Sequence, residues 1–379
     1  MTPYLDDDHE ALRAVVRDFT IKEIEPHAAT WDRDHVFPLD TVRAMGDLGL
    51  FGIPFPEPYG GGGDLRGLCV AIEEVAYSDQ SLAITLEAGV GLGANPIARF
   101  GTDEQRDRWL PDLCAGRALG AFGLTEPDAG SDAGGTRTSA TLDGEEWVID
   151  GEKAFITNSG TDITSIVTIT ARTAPDEISA IVVPAGTAGL EVQPPYRKMG
   201  WHASDTRGLT FTGCRVPADH LLGERGRGFA QFLEILDEGR VAIAALAVGV
   251  IRRCVEDSTA YANDRHTFGR PIGSNQGVAF QIADLEVALH ASRQLVYHAA
   301  WLRDHGRPYK REAAIAKLYA TEAAVAATRT ATQVFGGTGF MDDTAVTRHY
   351  RDSKILEIGE GTSEVQRLVI SRELGLPVR

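Results

Sequence analysis

Three long alanine-rich stretches constrain the fold more than any other feature of this sequence. They cover residues 229–265, 276–305 and 309–335. At a rise of about 1.5 Å per residue, each is long enough for a helix of roughly 40 Å. Long helices joined by short connections pack antiparallel as a bundle. We therefore expect residues 226–379 to form a helical bundle domain.

The first 120 residues also have a helical pattern. Apolar residues recur at helical spacing between residues 12 and 19, and Pro26 is expected to end that helix. A second, alanine-rich pattern covers residues 68–100. No strand precedes its glycines and they lack phosphate-loop spacing, so we expect a close-packed helix or pocket wall there. These glycines are Gly89, Gly91 and Gly93.

Between residues 121 and 225 the hydrophobic residues no longer recur at helical spacing. Short segments rich in β-branched residues alternate with turn signals such as Asp143-Gly144 and Asp150-Gly151. This pattern predicts a β domain, a small barrel or a sandwich. The predicted chain is thus mainly α with a β middle domain, and its three domains are residues 1–120, 121–225 and 226–379.

Charge and cysteine content restrict the partners and the compartment. The net charge of −17, without a cluster of Lys and Arg, argues against nucleic acid or an anionic membrane as a partner. The first residues have no signal or transit peptide pattern. The longest apolar run, 241–251, has about half the length that a membrane-spanning helix requires. Four separated cysteines favour free thiols in a reducing cytosol. We therefore expect a cytoplasmic protein. The cysteines are Cys69, Cys114, Cys214 and Cys254.

One carboxylate, Glu360, lies between two glycines in the segment RDSKILEIGEGTSEVQR at residues 351–367. Ser363 and Gln366 have capping-box spacing, so a helix is expected to begin near Glu364. Glu360 would then lie in a turn at a helix N-terminus. Such a turn can present a base to a substrate and backbone N–H groups to a phosphate. The alternative is an exposed acidic loop residue.

Three further segments have residue types that can bind a ligand. Residues 122–132, FGLTEPDAGSD, combine hydroxyls with turn formers and could equally be a linker. Residues 155–158, FITN, end a strand, where a Phe is more often part of the core. Residues 333–339, QVFGGTG, could be a plain helix C-cap. No metal, phosphate-loop or nucleophilic-serine motif is found, so we expect no metal site.

Taken together, these segments resemble the acyl-CoA dehydrogenase family. The motifs that carry the resemblance stand in the family's order over nearly the whole chain: EPYGGGG, LTEPDAGSD, FITN, KMGWHASDTRGLTF, DRHTFGRPI, QVFGGTGF and IGEGTSEVQR. The resemblance implies an α-helical N-terminal domain, a middle β-barrel and a C-terminal four-helix bundle. It also implies FAD bound between the middle and C-terminal domains, in a homotetramer whose neighbouring subunit completes each FAD site.

The family's functional residues transfer motif by motif. Glu360 is then the catalytic base. Residues on the flavin side would be Phe122, Leu124, Thr125, Gly130, Ser131, Phe155 and Thr157. Thr362 and Glu364 would approach the same FAD from the turn after the base. Residues that hold the adenine dinucleotide across the subunit interface would be Arg265, Phe268, Gln276, Gln333, Gly336 and Gly337. Residues near the CoA thioester would be Ser131, Asp237, Arg240 and Gly361.

The implied reaction is α,β-dehydrogenation of an acyl-CoA to a trans-2-enoyl-CoA. Glu360 removes the α-proton while a hydride passes to the flavin, and its backbone N–H helps to stabilise the enolate. Electrons would then pass to an electron-transfer flavoprotein. Some relatives carry the base in the segment matching LDEGR, where this chain has Gly239. Gly359 and Phe155 also depart from common family residues, so the acyl group is not predicted.

Two alternatives remain from the sequence. One is a flavin oxidase or oxygenase on the same fold. The other is a non-catalytic or nucleic-acid-binding flavoprotein, against which the acidic charge and the intact IGEGTSE turn argue.

Overall fold

The protein is described from a computed structural model that covers residues 2–378. Its N-terminal part contains only helices and their connections. Two π-helical turns, Thr20–Ile24 and Ala88–Ala94, link consecutive helices without a break. The helices are α1 (Asp7–Phe19), α2 (Glu25–Asp34), α3 (Leu39–Asp47), α4 (Leu65–Ser78), α5 (Gln80–Glu87), α6 (Asn95–Phe100) and α7 (Asp103–Cys114).

The prediction that Pro26 ends the first helix was wrong. Pro26 lies in the first turn of α2, directly after the π-helical turn Thr20–Ile24. A proline at that position has no N–H to lose, because the first N–H groups of a helix have no acceptor within it. The chain therefore continues as a helix to Asp34.

The glycine-containing segment is a close-packed wall, as predicted. A Cβ at Gly93 would come 2.6 Å from the carbonyl oxygen of Gly120, and one at Gly89 would come 2.8 Å from the Phe51 ring. Only glycine, which has no Cβ, allows the backbone of this segment to pass so close to a strand. The π-helical turn Ala88–Ala94 therefore lies directly against the first strand of the sheet.

The middle of the chain forms one eight-stranded sheet. Its order is β6-β7-β3-β2-β4-β5-β8, and β1 pairs with β4 in parallel. The turn predicted at Asp150-Gly151 was wrong, because residues 146–157 form the single bulged strand β3. The strands are β1 (Leu119–Gly123), β2 (Ser139–Asp143), β3 (Glu146–Thr157), β4 (Thr164–Ala174), β5 (Glu177–Pro184), β6 (Leu190–Val192), β7 (Thr206–Pro217) and β8 (Leu221–Leu222).

The C-terminal part is the predicted bundle, and α8 is its central helix. Nearly every residue of the segment 241–251 in α8 is fully buried, between α4 of the N-terminal part and α10. One hydrophobic core thus joins the N-terminal helices to the bundle, while a second core lies inside the sheet. The helices are α8 (Gly228–Asp264), α9 (Gln276–Asp304), α10 (Lys310–Phe335), α11 (Ala345–Ser353) and α12 (Ser363–Glu373).

A two-stranded hairpin of β9 (His266–Thr267) and β10 (Arg270–Pro271) links α8 to α9. All four cysteines are buried free thiols, as predicted. Within residues 2–378, none of the helices combines the length and the apolar character that a membrane crossing requires.

Candidate active site

Glu360 lies in a tight turn between the short 3₁₀ helix Lys354–Glu357 and α12. Its backbone is left-handed, with φ +52°, and Gly361 follows with φ +93°. A left-handed non-glycine residue is strained, and such strain is concentrated at functional sites. The turn brings the Glu360 side chain inward, towards the start of α8.

The predicted capping of α12 by Ser363 was wrong. Thr362 is the capping residue, and its hydroxyl accepts a hydrogen bond from Val365 N–H at 3.3 Å. Gln366 bonds to the turn instead: its amide Nε2 donates to the carbonyl of Gly361 at 2.9 Å and to that of Glu360 at 3.3 Å. The helix therefore stabilises the turn through a side chain in its first turn.

The carboxyl group of Glu360 lies in a narrow space between α5 and α8. Both of its oxygens are buried, and the facing carboxyl group of Glu87 is their one hydrogen-bond partner among the described residues. A Cβ at Gly239 of α8 would come 2.1 Å from Oε2 of Glu360. The same Cβ would come 3.5 Å from Oε1 of Glu87, which is the last residue of α5. Both Glu87 oxygens are also buried, and within the described chain they face only the Glu360 carboxyl group. The alternative of an exposed loop carboxylate was therefore wrong.

Burial and charge set the protonation of these two carboxyls. Burial raises the pKa of Glu360, and a hydrogen bond from Glu87 and the positive charges of Lys317 and Arg240 oppose that rise. Burial raises the pKa of Glu87 well above its ordinary value, and the charge of Glu360 raises it further. The two shifts make Glu87 the carboxyl group that holds a proton more strongly and Glu360 the one that loses its proton first.

Asp237 and Arg240 lie beside this pair, on the same turn of α8 as Gly239. They form an ion pair with each other. Arg240 is buried, and burial raises the pKa of Asp237. Thus four residues predicted from the sequence come together at one place: Glu360, Gly361, Asp237 and Arg240.

The segment after β1 is held by a buried ion pair that sequence reasoning missed. Lys153 Nζ lies 2.7 Å from Oε1 of Glu126, and both side chains are buried. Glu126 also accepts from the backbone N–H groups of Arg137 and Thr138, at 2.7 and 3.0 Å. The loop from Leu124 to Ser131 is therefore a fixed structure and not a linker.

The predicted residues on this loop differ in exposure. The Phe122 ring stacks on Phe232 of α8 with 3.9 Å between centroids, so the loop begins against the bundle. Leu124 is buried, whereas Gly130 and Ser131 are exposed. No atom would lie within 4 Å of a Cβ at Gly130. The loop thus presents an open backbone surface at the junction of the sheet and the bundle.

Phe155 is not a core residue, although an isolated Phe at a strand end usually is. Its side chain is 65% exposed, its φ is +62°, and its ring lies 5.2 Å from that of Tyr196. Thr157 is partly buried at the end of the same strand. An exposed aromatic ring in a strained backbone is a suitable surface for a flat ligand ring.

Six other predicted residues lie at the far end of the bundle. Helix α8 runs from Gly239 towards Arg265, and at about 1.5 Å per residue these two positions are roughly 40 Å apart. Tyr261 of α8 stacks on Phe335 of α10 with 4.1 Å between centroids, so both helix ends share this site. Within one chain the structure does not bring this group near Glu360. The group comprises Arg265, Phe268, Gln276, Gln333, Gly336 and Gly337.

Three predicted residues remain. Thr125 is partly buried in the loop after β1, and its carbonyl accepts from Ala154 N–H at 2.9 Å. At the start of α12, Thr362 is the N-cap and Glu364 is exposed in the first turn. Sequence reasoning missed Glu87 and Lys317 of this site. Each is a single charged residue inside an otherwise apolar helical stretch, and that isolation was the available signal.

Comparisons with known proteins agree with this geometry. Family sequence models match residues 6–117 (acyl-CoA dehydrogenase, N-terminal domain), 121–214 (middle domain) and 226–375 (C-terminal domain). The chain is 49% identical over 371 residues to a probable acyl-CoA dehydrogenase, YngJ, of Bacillus subtilis, covering 97% of this chain and 98% of that one.

Two solved structures are similar over nearly the whole chain. Butyryl-CoA dehydrogenase from Megasphaera elsdenii has a TM-score of 0.95 and 39% identity, with 98% of each chain covered. A chain from a structure described as the electron transferring flavoprotein of Acidaminococcus fermentans has a TM-score of 0.96 and 38% identity, with 99% of each covered. Together with the three matched domains, these similarities mean that the chain belongs to the acyl-CoA dehydrogenase family.

Proposed function

We propose that this FAD-dependent acyl-CoA dehydrogenase acts on a short-chain acyl-CoA, with Glu360 as the base that removes the α-proton. The observation that carries the proposal is the buried Glu360 carboxyl group, which faces only the Glu87 carboxyl group in a slot between α5 and α8 and forms no ion pair in the described chain. A buried carboxylate without a direct cationic partner is costly and is retained where it acts on a ligand.

The backbone of the same turn supplies a second group. Glu360 N–H has no hydrogen-bond acceptor among residues 2–378. A thioester α-proton is weakly acidic, so the carbonyl oxygen needs a donor as the proton leaves. We assign that donor role to Glu360 N–H, which keeps the base and the donor in one residue.

The residues on the loop and strand beside this slot fit a flavin. Phe155 offers an exposed ring, Gly130 leaves the backbone open, and Thr125 and Thr157 offer hydroxyls at the same edge of the sheet. When bound there, FAD supplies the two-electron acceptor that dehydrogenation needs. The protein's own part is to hold the thioester between this surface and Glu360 and to exclude water from the carboxyl pair.

The chain length follows from the space beyond the base. A cavity of about 20 Å³ continues from Gly239 and Gly91 between α4 and the bundle, which is room for little more than one water molecule. Glu238, which lines this cavity, accepts hydrogen bonds from Asn95 at 3.3 Å and Arg303 at 2.9 Å. A small cavity with a polar wall favours a short acyl group. The similarity to butyryl-CoA dehydrogenase supports the same substrate class.

The assembly and partners are part of the proposal. The six predicted residues at the far end of the bundle lie too far from Glu360 to serve one FAD within a single chain, which supports the predicted homotetramer. Apolar side chains that a second chain would cover are exposed at this end and along α9: Phe268, Phe280 and Val287. We retain the electron-transfer flavoprotein as acceptor, the cytoplasmic location and the domain boundaries at residues 120 and 225 as predictions.

The test is anaerobic reduction of the purified protein. With butyryl-CoA, the flavin absorbance should bleach, and Glu360→Gln should bind FAD but bleach at least about a hundredfold more slowly, the range of general-base catalysis. Glu373→Gln, which changes an exposed carboxylate on α12, is the matched control and should behave as wild type. Wild-type bleaching rates in Glu360→Gln would remove Glu360 as the base. Rapid reaction of the reduced enzyme with oxygen would favour an oxidase.

A further inference from the structure

Lys317 is a fully buried lysine in the alanine-rich helix α10. Its neighbours along the helix, Ala313, Ala316 and Ala320, are fully buried as well. Burying an ammonium group costs several kcal/mol unless other groups compensate. The one hydrogen bond of its side chain in the described chain runs from Nζ to the carbonyl oxygen of Gly361, at 2.8 Å. A buried cation thus points at the turn that carries Glu360.

The hydrogen bond acts on a strained part of that turn. The Gly361 carbonyl accepts from both Lys317 and Gln366, and the Glu360 carbonyl accepts from Gln366. These donors fix the orientation of the two peptide units that follow the left-handed Glu360. Because both carbonyls are held on the bundle side, the Glu360 N–H is left for a ligand and the carboxyl group stays in the slot.

The charge of Lys317 is also directed to Glu360. Glu87 faces Glu360 from α5, and the Asp237–Arg240 ion pair faces it from α8. After burial, the charge of Glu360 has the largest effect on the pKa of Lys317, followed by the charges of Arg240, Glu357 and Glu322. Among the described residues no carboxylate lies within 4.0 Å of Lys317 Nζ. Arg240 is neutralised by its direct partner, whereas Lys317 is not.

We propose that Lys317 is a positioning residue for the base: its hydrogen bond holds the Glu360 turn, and its charge keeps the Glu360 carboxyl group ionised. This inference rests on the proposed role of Glu360. Burial lowers the pKa of Lys317 to about 8, so the charge is present at neutral pH and is lost as the pH rises through that value.

Three variants separate the two effects. Lys317→Met removes both donor and charge, Lys317→Gln keeps a donor without charge, and Lys317→Arg keeps the charge. Loss of the cation raises the pKa of Glu360, so the acidic limb of kcat/KM should move to higher pH in the Met and Gln variants. For each pH unit by which the acidic limb moves, kcat/KM at a given pH on that limb falls about tenfold. In Lys317→Arg the charge is kept, so the acidic limb should stay where it is in the wild type.

Lys310→Met is the matched control, since it makes the same change at an exposed position of α10. FAD absorbance and thermal midpoints report folding, and Lys317→Gln carries the test if Lys317→Met does not fold. Difference infrared spectra against Glu360→Gln follow the protonated Glu360 carboxyl group without turnover. An unchanged Glu360 titration in a folded, FAD-bound Lys317→Gln or Lys317→Met protein would overturn the proposal. Absence of bleaching in the wild type would instead overturn the proposed function.

Discussion

The carboxyl group of Glu360 occupies the space that a side chain at position 239 would need. A Cβ atom at Gly239 would come 2.1 Å from Oε2 of Glu360, far inside van der Waals contact. The glycine in α8 and the base in the turn before α12 are therefore complementary. The absence of a side chain at residue 239 is what allows the base to enter from residue 360.

Gly239→Ala should therefore displace the base while the fold is kept. The added methyl group strikes the end of a side chain, which can rotate away at small cost, but the rotated carboxylate no longer faces the slot. We expect kcat/KM for butyryl-CoA to fall at least about a hundredfold, as for loss of a general base. Stopped-flow bleaching measures the effect.

Gly277→Ala is the control for this substitution. Gly277 is also in a helix, and no atom would lie within 4 Å of its Cβ. This variant should retain activity. Full activity of Gly239→Ala, with FAD bound, would mean that Glu360 reaches its substrate along another path.

Glu87 should determine the pH at which the base becomes active. Its hydrogen bond lowers the pKa of Glu360, and burial raises the pKa of Glu87 well above its ordinary value, so we expect Glu87 to carry the proton of the pair. Glu87→Leu removes the hydrogen bond, so the pKa of Glu360 rises and the acidic limb of kcat/KM moves to higher pH. At a given pH on that limb, kcat/KM falls about tenfold for each pH unit by which the limb moves.

Glu87→Gln is the informative partner variant, because its amide can still donate to Glu360. Its acidic limb should stay near that of the wild type. The sign of the change in Glu87→Leu is decisive. A limb that moved to lower pH would mean that Glu87 is anionic in the wild type and repels a second charge.

The sequence patterns predicted the long elements well because their signals are local. The three bundle helices begin and end within one residue of the predicted ranges, since their periodicity is continuous. The helix end predicted at Pro26 was wrong because a π-helical turn places this proline in the first turn of α2, where it removes no helical hydrogen bond. Glu126 and Lys153 were missed because they lie 27 residues apart and are paired only in the folded sheet. Likewise, no local pattern joins Lys317 to Gly361.

The Lys153–Glu126 pair should hold the loop after β1 in place. Lys153→Met leaves a buried carboxylate with backbone donors only, which should cost ~3 kcal/mol of the free energy of unfolding. The loop that carries Thr125, Gly130 and Ser131 would loosen, so FAD should be lost more readily on dilution. Thermal midpoints and the FAD content after gel filtration measure both effects.

Two comparisons make that prediction specific. Adding Glu126→Gln to Lys153→Met should recover part of the loss, because the unpaired charge is removed. Arg137→Met breaks the exposed Arg137–Asp128 pair of the same loop and should leave the midpoint nearly unchanged. Equal midpoints for Lys153→Met and the wild type would contradict the assigned role.

The small cavity beyond Gly239 should set the length of the acyl chain that the enzyme accepts. Leu68 of α4 lines that cavity and is 2% exposed. Leu68→Ala adds space where the acyl chain would end, at a cost of ~2–5 kcal/mol in the free energy of unfolding. The ratio of kcat/KM for hexanoyl-CoA to that for butyryl-CoA should rise roughly tenfold. Leu289→Ala on α9 removes an equally buried leucine outside the cavity and should leave the ratio unchanged. The same ratio in both variants would place the end of the acyl chain elsewhere.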